Sequence, residues 1–236
     1  MTLDSANPRL VDRVDLLAAL DRASASKVAI ISAPAGSGKT SLLRAWADRS
    51  GQARRLAVVQ VQRDRPDAQT FWRALHAAVR QVSGGTGGTQ PSAATPDFNA
   101  QAMVDRVLSA LADARVDIVL VIDDLHELSP EALGQLTGLL TNLPPHVHAV
   151  LAARRDLPLG LHRLRLAGGL SEIRAADLRF TERETRELLD AAGITLSEAG
   201  AALLHERTEG WAAGLRLAAI ALADHGDPER FVVEFS

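Results

Sequence analysis

Residues 27–40 read KVAIISAPAGSGKT, and this stretch decides the fold. Its first half, Lys27 to Ser32, is a short apolar run ahead of a glycine-rich turn, which suits a strand buried on both faces. Its second half, Ala33 to Thr40, has the phosphate-binding loop pattern, with Ala33 where a glycine usually stands first. Glycines at 36 and 38 let the backbone bend until successive N–H groups face phosphate oxygens, and the N-terminus of the following helix adds its positive end. Such a helix-end interaction contributes about 0.3–1 kcal/mol when exposed. Lys39 is expected to bridge the β- and γ-phosphates, acting in catalysis as well as binding, and Thr40 to offer its hydroxyl to magnesium. The expected nucleotide contacts are Ala35, Gly36, Ser37, Gly38, Lys39, Thr40 and Ser41. A glycine turn that binds nothing would need no Lys-Thr pair at this spot.

Outward from the loop, Leu42, Leu43 and Trp46 recur at helical spacing, with Ser50-Gly51 as a stop. Arg55 to Gln62 reads as a second strand, and Phe71, Leu75, Val79 and Val82 as the inner stripe of a second helix. Ser83 to Pro96 (SGGTGGTQPSAATP) is rich in glycine and proline and reads as a mobile surface loop, spanning about 83–97. A helix is expected around Val104, Val107, Leu108 and Leu111, then a central strand over Asp117 to Asp124 (DIVLVIDD). The stripe Leu133, Leu136, Leu139, Leu140 and Leu143 predicts another helix, Val147 to Ala153 a fourth strand, and Leu170 to Arg174 a fifth. Strands alternating with helices specify an α/β fold, a parallel five-stranded sheet flanked by helices.

Past Arg179 only helical patterns remain. Thr181 with Glu184 has capping-box spacing, and Thr195 with Glu198 repeats it. Gly210 ends that second helix, Trp211, Leu215, Ala218 and Leu222 line a third with Trp211 in a core position, and Pro228 starts a fourth. The expected organisation is a nucleotide-binding domain over 1–179 and a small all-helical module over 180–236. The closing stretch FVVEFS is apolar, as expected of a segment cut from a longer chain.

Asp123 and Asp124 close an apolar strand, where a nucleotide-hydrolysing site needs one carboxylate for magnesium and another to polarise water. Asp123 is the expected metal residue, with Thr40, and Asp124 the expected catalytic base. Arg154 and Arg155 follow the fourth strand, at the same carboxyl edge as the loop in a parallel sheet. Either is placed for a γ-phosphate. His126 reads as a structural hydrogen-bonder rather than a catalyst.

Of the 236 residues 47% are hydrophobic and 23% charged, which sets the chain among globular proteins and apart from disordered ones. A net charge of −3 argues against a broad nucleic-acid footprint in this segment. Without cysteine there is no disulfide and no thiolate metal site, as a reducing compartment would allow. Met1 to Arg13 lacks the apolar core of a secretory signal, and no apolar run approaches the roughly 18 residues that span a bilayer. The expected location is cytoplasmic, with no membrane partner.

ISAPAGSGKTSLLRAW (31–46), VIDDLHEL (121–128), LAARRDLPLGLHRLRLAGGLSEIRAADLRFT (151–181) and RTEGWAAGLRLAAIAL (207–222) together resemble the nucleotide-binding domain of the MalT-like, large LuxR-type regulators, a branch of the STAND class of signalling ATPases. The resemblance runs from about Pro8 to Ser236. It implies ATP or ADP with magnesium as ligands, Arg154 as the γ-phosphate sensor, and a switch that rests with ADP and self-associates with ATP. It also implies further domains outside this segment, including a winged helix and a C-terminal DNA-binding module. The family usually has Ser before the sensor Arg, where this chain has Ala153. Related ATPases carry a proline near the base, where Trp211 and an alanine stand here. A P-loop small-molecule kinase, a DNA-associated ATPase of the initiator type and a module without nucleotide are the competing readings. No lid with acceptor-clamping arginines supports the first, the acidic balance weighs against the second, and Lys39, Thr40, Asp123 and Asp124 against the third.

Overall fold

A computed structural model describes residues 11, 13–50, 55–63, 67–84, 98–223 and 226–234. Most of the loop expected at 83–97, Gly51 and the last two residues lie outside this range. Contacts within the chain gather into two compact units. One comprises Ala18–Pro34 and Thr40–Arg174; the other comprises Ala175–Ser236 with Ala35–Lys39 and the described part of Met1–Leu17.

In the first unit five strands form one sheet: β1 (Val28–Ser32), β2 (Arg55–Gln60), β3 (Ile118–Asp123), β4 (Val147–Ala153) and β5 (Leu170–Arg174), in the order β2-β3-β4-β1-β5. Every pairing is parallel, so the expected parallel sheet is what forms. The continuous apolar run of β3 makes a strand buried at every position, as a central parallel strand requires. At the edge, β2 alternates instead and leaves Val58 54% exposed. It also stops at Gln60, two residues before the expected end. Because the strands are parallel, Ser32, Gln60, Asp123, Ala153 and Arg174 all end at one sheet edge.

Helices α2 (Lys39–Ser50), α3 (Ala68–Val82), α4 (Ala100–Ala112) and α5 (Pro130–Thr141) fall where the apolar stripes put them. Phe71, Trp72, Leu75 and Val79 of α3 are buried with Val104, Val107 and Leu111 of α4 in one core. The two buried indoles each find an acceptor, Trp72 in Gln135 at 2.8 Å and Trp46 in Asp21 at 2.7 Å, as a buried N–H requires. Two helices were not expected: α1 (Val14–Ser24), which buries Leu16, Leu17, Leu20 and Ala23, and the short α6 (His162–Leu166).

The second unit holds α7 (Glu182–Ala191), α8 (Glu198–Thr208), α9 (Ala212–Ala223) and α10 (Pro228–Glu234) around Leu189, Leu204, Leu215, Ala218, Leu222 and Val232. The capping box of α7 is present in full, Thr181 and Glu184 each satisfying the other's backbone N–H. Glu184 is held further by the Arg13 guanidinium at 3.1 Å, which also donates to the carbonyls of Leu178 and Arg179 and lies 4.3 Å over the Phe180 ring.

The matching box expected at Thr195 and Glu198 does not form. Ser197 caps α8 by accepting from Gly200 N at 3.0 Å, and the carboxylate that takes the Ser197 backbone N–H comes from Glu229 on α10. A tertiary carboxylate has replaced the local one, and Glu198 is left as the first helical residue. Trp211 is likewise not in the core: its side chain precedes α9 and is 45% exposed. Glu209 and Gly210 ahead of it both have positive φ, and a Cβ on Gly210 would meet Phe180 O at 2.4 Å. Only glycine fits there.

Candidate nucleotide site

The loop between β1 and α2 takes the bend its glycines were expected to allow, with φ of 76° at Gly36 and 87° at Gly38. Gly36 is needed for space as well. A Cβ there would lie 2.7 Å from Ala213 Cβ and 2.9 Å from the Trp211 ring. The Gly36 carbonyl accepts the Ala213 N–H at 3.0 Å, a first-turn donor of α9 that has no partner within its own helix. Ser37 and Lys39 are buried, whereas Ala35 and Ser41 are exposed.

On α2, Thr40 donates its hydroxyl to Asp123 Oδ2 at 2.7 Å. Asp123 is 5% exposed, and its other oxygen accepts Asp124 N at 2.8 Å. The buried carboxylate is therefore paired at both oxygens, as a charge in that setting must be. Hydroxyl and carboxylate stand together, as an ion held by both would need. Among the described residues no group of three His, Cys, Asp or Glu forms an all-protein cage. That donor set suits magnesium, which keeps several waters and takes its remaining ligands from phosphates.

Asp124 has the left-handed conformation, φ 54° and ψ 35°, and its carboxylate accepts Gln60 Nε2 at 3.0 Å. For a residue with a Cβ this conformation costs roughly 1–2 kcal/mol. The two carboxylates take different side-chain partners, Asp124 that of Gln60 and Asp123 that of Thr40. Arg154 follows β4 directly, is half-buried, and makes no hydrogen bond or ion pair among the described residues. His126 is 10% exposed, with Nε2 3.2 Å from Glu127 Oε1.

Sequence reasoning passed over a polar cluster at the same edge, in which Asp156 accepts from Ser32 Oγ at 2.7 Å and pairs with Arg174. It also gave no sign of a cavity of about 340 Å³ lined by Ile30, Leu151, Arg155, Asp156, His162 and Arg174 among others, a size within the range of small-ligand pockets. Thr40, Asp123, Asp124 and Arg154 have no part in its lining.

Known proteins are similar to this chain over most of its length. The chain is 31% identical over 234 residues, 92% of its length, to the serine/threonine-protein kinase PknK of Mycobacterium tuberculosis, and covers 20% of that protein. It is 30% identical over 220 residues, 89% of its length, to the HTH-type transcriptional regulator MalT of Cronobacter sakazakii, and covers 23% of it. It thus spans about a fifth of the length of these curated relatives, and the expected likeness to MalT is there. Two solved structures share the fold. The Walker-type ATPase of Pyrococcus abyssi matches with a TM-score of 0.62 at 13% identity, over 95% of this chain and 70% of that one. The Aeropyrum pernix ORC1 protein, solved in complex with DNA, matches at 0.57 and 19% identity, over 98% of this chain and 66% of the other. Among the described residues no helix is long and apolar enough to cross a membrane. The family model for the AAA ATPase domain matches residues 11–153, more than half of the chain and inclusive of the phosphate loop and the acidic strand end. Nucleotide and magnesium use follow in general terms from such a match, and the chain belongs to the AAA ATPase domain family.

Proposed function

We propose that this chain is the nucleotide-controlled switch of a signal-responsive transcription regulator, binding ATP or ADP with magnesium and hydrolysing ATP slowly to reset its state. The observation that carries the reading is the Thr40 hydroxyl on the Asp123 carboxylate, 2.7 Å apart, on the helix that follows the glycine-turned loop. In this reading the loop residues Ala35 to Ser41 cradle the phosphates, Lys39 spans the β- and γ-phosphates, and Thr40 and Asp123 hold magnesium. Asp124 orients the attacking water, and Arg154, with no partner among the described residues, answers to the γ-phosphate. Magnesium supplies charge neutralisation to the phosphates when bound.

Identity to MalT supports the regulatory setting, and in it DNA contact and ATP-dependent self-association belong to a longer protein, in the cytoplasm. The segment 1–179 is the nucleotide-binding domain and 180–236 the helical module that carries the signal outward. Thermal denaturation with and without nucleotide tests the core of the reading. At ligand near 100 times its dissociation constant, linkage adds about 2.7 kcal/mol to stability, and Lys39→Ala should remove most of that gain. No response of the wild-type chain to ATP or ADP would end the proposal.

A further inference from the structure

Ser32, the last residue of β1, stands in register with Ala153 on one side and Arg174 on the other. Its hydroxyl is buried and donates to Asp156 Oδ1 at 2.7 Å. The same carboxylate oxygen takes the Arg174 guanidinium. Arg174 also donates to Glu172 at 2.8 Å, and Glu172 accepts from Arg165 at 2.8 Å. One carboxylate thus gathers the chain leaving β4, the end of β1 and the end of β5. Arg154 lies two residues before Asp156, and its guanidinium has no partner among the described residues.

We infer that Asp156 is a positioning residue for Arg154: through Ser32 and Arg174 it fixes the backbone from which that guanidinium reaches a γ-phosphate. The inference rests on the nucleotide reading above. Exposed ion pairs contribute little to stability, and Asp156 is 71% exposed. Its convergent contacts therefore suit holding one loop in place better than holding the fold together. Ser32 supplies a hydroxyl at the strand-end level where Ala153, its register partner, has none. The Ser32 hydroxyl, and after it Arg174, hold the Asp156 carboxyl below its ordinary range, so the tether is charged throughout the neutral region. Orientation of this kind matters to a contact that forms only when the third phosphate is present.

The test is calorimetric affinity for ATP and for ADP, with magnesium, of the whole chain carrying Asp156→Asn, Ser32→Ala, Arg154→Ala, and Asp156→Asn with Arg154→Ala. Loss of one charged contact at an exposed site should weaken ATP binding about fivefold, leave ADP unchanged, and do so for Asp156→Asn and Ser32→Ala alike. On the Arg154→Ala background Asp156→Asn should add nothing, because the two act through one contact. Equal loss for both nucleotides, no loss in either single variant, or additive loss in the double variant overturns the inference. Arg154→Ala losing ATP and ADP equally would instead sink the sensor reading, and this inference with it.

Discussion

Two neighbouring carboxylates, Asp123 and Asp124, have different backbone geometry, and the proposed function gives them different work. Asp123 ends a buried strand and is paired at both oxygens, while Asp124 sits in the left-handed region with Gln60 on its carboxylate. Asp123→Asn is expected to weaken magnesium-dependent nucleotide binding. Asp124→Asn is expected to spare binding and slow hydrolysis by about 10²–10⁴-fold, the range of a lost general base. Calorimetry beside a phosphate-release assay separates them, and the same binding defect in both would refute the division of labour. The positions of these residues were legible because a phosphate loop is a local pattern and an acidic strand end follows a visible apolar run. The Ser32–Asp156 contact was not, since it joins residues 124 apart in the chain, and neither was the left-handed backbone at Asp124, a conformation that Asp adopts more readily than most residues but does not dictate.

Helix caps show how far local spacing reads through to an element. The box at Thr181 and Glu184 was legible from its spacing alone, but the same spacing at Thr195 and Glu198 failed because Glu229, from α10, took the role of the local carboxylate. At α7 the cap is joined to Arg13, 171 residues away in sequence. Burial raises the Glu184 carboxyl, but the Arg13 guanidinium and the Thr181 N–H outweigh it, so the folded value lies below the ordinary one. A carboxyl depressed on folding contributes stability that is fully present above its unfolded value, about 4.3, and is lost as pH falls through the folded one. Glu184→Gln should therefore cost about 2 kcal/mol near neutral pH, the worth of a hydrogen bond to a charged group. In urea titrations the gap between wild type and variant should close below pH 4. A gap that persisted in acid would show that the loss is one of packing and not of charge.

At the scale of the molecule, the buried apolar runs of β1, β3 and β4, alternating with helical stripes, made a parallel sheet legible before any coordinate. Strand order was not, because which strands lie side by side depends on crossovers rather than on local periodicity. Helix α1 was missed although Leu16, Leu17, Leu20 and Ala23 recur on one face. The grouping of Ala35–Lys39 with α7 to α10 also had no local sign. It arises from the approach of Ala213 and Trp211 to Gly36, and in the proposed function it gives the loop a direct connection to the helices that would report nucleotide state.

A switch must dwell in each state, so slow chemistry and slow ADP release go together. Steady-state ATP hydrolysis, measured with a panel of small acceptors and beside the stopped-flow release of ADP, tests this most directly. Turnover far below the roughly 10 s⁻¹ of metabolic enzymes, unchanged by every acceptor and matched by slow ADP release, is the predicted result. Fast nucleotide consumption driven by one acceptor, or ADP that leaves as quickly as it binds, would contradict the switch.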